Sequence, residues 1–139
     1  MNKRVINDEI ESAYSLLAQH GIAQDGKIDR AFRGQISSFG AAITMGSLLA
    51  AIAYFSKRAG ASVERQLILA AIYDIVKSRH EGEQFHETLF EYAIERKKRG
   101  MSAERDCKEE ILNAAIALKL AMNLYELVDK KAGESDEVQ

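Results

Sequence analysis

Between Arg33 and Lys57 the chain runs from Gly34 to Ser56 without one charged side chain, and no other segment approaches that. At about 1.5 Å per residue, a helix over this run is long enough to cross a bilayer, so it is either a membrane span or the central helix of a soluble bundle. Composition decides for the bundle. Of the twenty-one positions from Ile36 to Ser56, twelve are Gly, Ala, Ser or Thr, which leaves transfer into lipid close to neutral where a spanning helix carries many Leu, Ile and Phe. Arg33 precedes the run and Lys57-Arg58 follows it, so no one-sided basic excess would orient a span.

The sequence has 139 residues and 47% hydrophobic content, enough for one domain to bury a core without disulfides or metals. Proline is absent and Ala, Leu, Glu, Lys and Arg dominate, which predicts an all-α fold, a compact bundle of five to six helices around the uncharged one. Residues 1–132 are expected to form a single helical domain, and 133–139 a disordered acidic tail. Cys107 is the only cysteine, so no intrachain disulfide can form. The start Met1-Asn-Lys-Arg is followed closely by Asp8, Glu9 and Glu11 and lacks a signal peptide's apolar stretch, so a cytoplasmic protein is expected.

The net charge of −2 conceals an asymmetry. Residues 1–79 carry ten Lys/Arg against seven Asp/Glu, whereas residues 80–139 carry nine against fourteen. A near-neutral body argues against a free-standing, high-affinity nucleic-acid binder and leaves room for a weak or multivalent one.

Hydrophobic spacing and caps predict five helical stretches. The first runs from about Asn7 to His20 with Ile10, Tyr14 and Leu17 inward, and Gly21–Gly26 is read as a connector. The second begins near Ile28 and continues to Lys57, bent around Ser38-Phe39-Gly40, with Phe39, Ile43, Leu49 and Ile52 buried. Gly60 closes it. The third starts at Ser62 and places Val63, Leu67, Ala70, Ala71 and Val76 at helical spacing up to Arg79. A fourth carries Phe85, Leu89, Tyr92 and Ala93 and ends at Gly100. The fifth, capped by Ser102, runs to about Lys131 with Ile111, Ala115, Leu118 and Met122 on one face.

Catalytic patterns are weak. Glu83-Gln-Phe-His86 has the Glu-x-x-His spacing of di-metal bundles, but a second copy is missing. His80, His86 and Glu87 fit metal-ligand spacings loosely and read better as an exposed helix start, so no metal or cofactor is expected. Cys107 has Arg105 and Lys108 beside it near a helix start, which would favour its thiolate, yet no histidine is near it in sequence. The tract Arg96-Lys-Lys-Arg99 suits the negative end of a helix as well as a basic recognition patch.

On a wheel of the uncharged helix, taken as unbroken, Ser37, Gly40, Thr44, Ser47, Ala51 and Arg58 all fall within roughly 40° of Arg33. Such a stripe lets another surface approach the backbone, with hydroxyl and guanidinium groups suited to phosphate or ribose oxygens. Tight packing against a neighbouring helix is the alternative reading.

The stretch Phe32-Arg-Gly-Gln-Ile-Ser-Ser-Phe-Gly-Ala-Ala-Ile-Thr-Met-Gly-Ser-Leu-Leu-Ala-Ala-Ile-Ala-Tyr-Phe-Ser-Lys57 resembles the signature of the small all-helical subunit of the Cmr (type III-B) CRISPR RNA-guided effector complex. That family shows an aromatic-basic pair, a long uncharged helix with a Gly-Leu step, and a closing Ser-Lys. Glu110-Ile-Leu-Asn-Ala-Ala-Ile-Ala-Leu-Lys119-Leu-Ala is similar to its C-terminal helix. Two departures are that Gly46-Ser47 reverses the family's usual order of residue types, and that a proline often found near Gly40 is missing.

The resemblance implies a non-catalytic subunit of a ribonucleoprotein in antiviral defence. Such a subunit stacks in several copies beside other Cmr subunits and faces the duplex of CRISPR RNA and target RNA, while cleavage belongs to other subunits. Arg33 and Lys57 come from the matched motif as expected RNA contacts, and Arg30, Ser37 and Arg58 join them from the wheel. Arg and Lys would neutralise phosphates, and Ser37 would bond a phosphate or ribose oxygen. The rival expectation is a soluble helical adaptor that binds only proteins.

Overall fold

A computed structural model describes residues 1–57, 63–83 and 86–129. Among these residues six helices build the bundle expected from composition, joined by one small sheet. In chain order they are α1 (Lys3–Gln19), β1 (Ala23–Gln24), β2 (Lys27–Asp29), α2 (Arg30–Met45), α3 (Leu48–Phe55), α4 (Gln66–Ser78), α5 (Leu89–Lys98), α6 (Met101–Met122) and β3 (Glu126–Val128).

The first helix starts earlier than its acidic residues suggest, because the Asn2 side chain accepts a hydrogen bond from Val5 N at 3.2 Å and caps it. Its inner face is Ile6, Glu9, Ala13 and Leu17. Ile10 is only half-buried and Tyr14 is exposed, stacked at 4.8 Å on Tyr125.

The expected connector after Gly21 is a β-hairpin. Asp25 and Gly26 have φ of 54° and 76° and form its two-residue turn, which leaves Gln24 paired with Lys27 and Ile28 in the core. The third strand lies parallel to β2, Ile28 opposite Leu127. It takes residues that the sequence assigns to the last helix, which ends at Met122 instead. Two side-chain bonds add to the strand pairing of the returning segment. Tyr125 OH donates to Tyr14 O at 2.8 Å, and Arg30 Nη2 donates to Leu127 O at 3.2 Å.

The uncharged run is two helices, not one. Gly46 leaves helical geometry and Ser47 caps α3, its Oγ accepting from Ala50 N at 3.3 Å. No break falls at Ser38-Phe39-Gly40, which lie inside α2. The break also resets the helical phase. Phe39, Ile43 and Ile52 are buried as expected, while Leu48 is buried and Leu49 is only partly so. Gly60, Ser62 and Phe85 lie outside the described residues, as do Lys131 and the tail.

The helix that touches most others is α6, packed against α1, α2, α4 and α5. Ala114, Ala115, Ala117 and Ala121 let neighbours approach closely, and Ile111, Leu118 and Met122 fill the space between them. Gly100, with φ 122°, turns the chain into it, so Met101 and not Ser102 begins the helix. Ile68, Ile72, Ile75 and Val76 of α4 complete the core, with Ala71. Leu67 and Ala70 stand half-buried beside them. Thr88 starts α5 with a capping box to Glu91, and Leu89, Tyr92 and Ala93 face inward. No helix among the described residues is long and apolar enough to cross a membrane.

Candidate nucleic-acid interface

Arg30, Arg33 and Ser37 occupy successive positions of the first turns of α2. Arg30 is exposed, and its bond to Leu127 O uses one of its five N–H donors and fixes the side chain beside β3. Arg33 is half-buried, with Nε shielded from solvent and without a hydrogen-bond partner among the described residues. Ser37 is exposed, and its Oγ donates to Arg33 O at 3.1 Å. Ser38 and Thr44 do the same toward Gly34 O and Gly40 O, at 3.1 and 2.9 Å. These hydroxyl protons are committed to the helix backbone, so the face offers hydroxyl oxygens as acceptors more than as donors.

Lys57 is exposed just past the end of α3, its backbone N–H bonded to Tyr54 O at 3.3 Å. It follows α3 and so does not share a helix with Arg33. Arg58 lies outside the described residues. The break also removes two members of the stripe: Ser47 becomes a cap and Ala51 is buried. What remains is shorter. Ser37, Gly40, Ala41 and Thr44 face Leu112, Ala115, Ile116 and Lys119 of α6 across a shallow trough of about 200 Å³. Lys119 is therefore a basic residue of this face that helical periodicity alone does not single out.

A second missed feature lies at the end of α3. Tyr54 is exposed, and the Arg65 guanidinium covers its ring with Cζ 4.6 Å from the centroid. Local spacing carries no sign of this pair, because it joins the end of α3 to the start of α4.

The basic tract is half neutralised. Arg96 pairs with Glu83 at 3.0 Å and lies over the Tyr92 ring, and Arg99 pairs with Glu95 at 2.5 Å. Lys97 and Lys98 remain exposed in the last turn of α5. His80 bonds to Glu110 through Nε2, and Tyr92 OH donates to the same carboxylate at 2.5 Å. Burial and that carboxylate push the Tyr92 hydroxyl well up. His86 is exposed, and its backbone carbonyl accepts from Tyr73 OH at 2.7 Å. Among the described residues no group of three or more His, Cys, Asp or Glu is placed to hold a metal ion.

The expectation for Cys107 is corrected. It is buried on the inner face of α6, and burial, with Glu110 adding to it, pushes the thiol up to about 12. Arg105 is exposed on the outside of that helix and does not offset the loss of water.

A cavity of about 580 Å³ opens between α3, α4 and α5, lined by Ile52, Leu69, Leu89 and Phe90 together with His20, Asp74 and Lys77. Asp74 accepts from His20 at 2.7 Å and Lys77 at 3.1 Å. Burial alone would raise its pKa, but these two partners together hold the carboxyl below its ordinary value.

No protein-family model, curated protein or solved structure gives a significant match to the chain.

Proposed function

We propose that this protein is a non-catalytic small subunit of a cytoplasmic type III-B CRISPR ribonucleoprotein, helping to bind and align CRISPR RNA and target RNA. The observation that carries the reading is the exposed face of α2 within the stretch that resembles the family signature. Small side chains leave its backbone approachable, Arg30 and Arg33 stand at one end, and Lys119 lies across the trough. Few basic groups per copy suffice when several copies act together, because assembly supplies the effective concentration. Other subunits and further copies of the chain are its partners in this reading.

The test is co-expression with the products of neighbouring genes, followed by affinity purification and RNA binding across a salt series. The expected result is a ribonucleoprotein whose target affinity falls with salt, with a shallower slope for the Arg33→Ala/Lys57→Ala double variant. A protein complex that retains no RNA at low salt would overturn the reading. It would favour instead a protein-only adaptor, for which the apolar cleft between α3, α4 and α5 is the supporting feature.

A further inference from the structure

Arg65 is 5% exposed, yet no carboxylate or other hydrogen-bond acceptor pairs with it among the described residues, and its Nε is buried without a partner. A desolvated, uncompensated guanidinium costs stability unless something completes it. The side chain lies instead against two rings, 4.6 Å from the centroid of Tyr54 and 5.3 Å from that of Phe55. Cation–π attraction offsets part of that cost without neutralising the charge.

Tyr54 is 61% exposed even though Arg65 lies over its ring and the ring meets Phe55 at 5.6 Å and 68°. Phe55 and Arg65 thus hold the ring in orientation and leave much of it open to solvent. Lys57 follows one helical turn later and is exposed. An aromatic face, a guanidinium short of anions and an exposed ammonium together match the parts of a nucleotide: a base to stack and a phosphate to neutralise.

We infer that Tyr54, Arg65 and Lys57 form a docking point for one unpaired nucleotide of RNA, the base stacked on Tyr54 and the phosphate held by Arg65 and Lys57. The site rests on the RNA-binding reading and adds to it a place that selects single-stranded over paired nucleotides. In a duplex the faces of each base are already covered by its neighbours, so only an unpaired base can lie on the ring.

The chain contains no tryptophan, so Tyr54→Trp installs a single fluorescent reporter at the platform. Titrating the full chain with oligouridylate should quench its emission, while an abasic strand of equal charge should bind without quenching. With a labelled oligouridylate, Tyr54→Ala should weaken binding on the order of tenfold, and Tyr54→Phe should retain it. A blunt RNA duplex should be indifferent to all three substitutions. Salt-dependent oligouridylate binding with no quenching and no effect of Tyr54→Ala would overturn the docking point and leave the RNA-binding reading standing. Equal quenching by the abasic strand would also overturn it. No salt-dependent binding of any strand by the single chain would overturn the docking point alone, because the RNA-binding reading stands or falls on the assembled complex. Tyr54 is exposed, so these variants should melt with the parent chain, and the Trp reporter keeps the test decisive if the alanine variant does not.

Discussion

Arg79, at the end of α4, reaches the carboxylate of Glu9 on the inner face of α1, with Nε 2.9 Å from Oε2 and Nη2 3.1 Å from Val5 O. Glu9 is 5% exposed, and its pKa is raised because burial outweighs the guanidinium's opposing pull, with Glu110 and Asp8 adding to the rise. The pair clamps α1 to the end of α4.

Removing one partner leaves a buried charge. Arg79→Ala should cost about 2 to 3 kcal/mol at neutral pH, less than a fully buried pair because water reaches the Arg79 side. A group whose folded pKa is raised holds its stability at low pH and loses it as pH rises through the folded value. The deficit of Arg79→Ala should therefore shrink as pH falls, and Glu9, its pKa raised above the ordinary 4.5, takes up its proton before that pH is reached. Thermal melts of both chains across that range check it, and a pH-independent deficit would contradict it.

Asp74 carries the opposite sign. Its folded pKa lies below the ordinary value of 3.8, so its contribution is present above that pH and is lost as pH falls through the folded value. Asp74→Asn should cost about 1 kcal/mol at neutral pH, a modest figure because the site is partly open to solvent. The difference from the parent should close in acid. A gap unchanged as pH falls well below 3.8 would assign the loss to packing instead of charge.

Cys107 should behave as an inert core thiol. With its pKa pushed up to about 12 and its side chain buried, a soluble disulfide reagent in mildly alkaline buffer should react only as fast as the fold opens. Rapid labelling of the native chain, matching a free thiol, would contradict this placement.

The division of the uncharged run gives Gly46 and Ser47 testable signs. A Cβ at Gly46 would sit 3.0 Å from Ala42 O, and Ser47 caps α3. Gly46→Ala and Ser47→Ala should each lower stability, by about 1 kcal/mol for the missing cap. In one continuous helix Gly→Ala would instead stabilise by about 0.5 to 1 kcal/mol. The sign of the melting shift separates the two geometries.

The same two residues show where sequence reading succeeds and fails. The inner face of α6, Ile111, Ala115, Leu118 and Met122, is legible because it depends on spacing within one helix. The α2–α3 break is less so, since Gly46 and Ser47 sit in a run of small residues whose periodicity fits a helix on either side. Asp25-Gly26 is a hairpin signal in its own right, but β2 finds its second partner in β3, far along the chain, where Ile28 meets Leu127. At the candidate interface, Arg30, Arg33 and Ser37 share a face by local spacing. Lys119, Tyr54 and Arg65 join it or stand apart through tertiary packing that no window of sequence contains.

The trough beside α2 gives the most direct test of whether that face meets RNA. A Cβ added at Gly40 meets nothing within 4 Å, so the surface is open. Gly40→Ala should raise stability by about 0.5 to 1 kcal/mol through helix propensity alone. Gly40→Leu should extend into the trough toward Leu112 and Ile116 without lowering the melting temperature. In an assembled complex that same leucine would keep an RNA backbone from approaching α2, so target affinity should fall while the salt slope stays near its parent value. Arg33→Ala should do the reverse, lowering the slope of log affinity against log salt by about 0.7 to 0.9 for each phosphate left without its cation. Ser37→Ala should change neither, since its proton is already donated to Arg33 O. Unchanged RNA affinity for both Gly40→Leu and Arg33→Ala would remove α2 from the RNA surface.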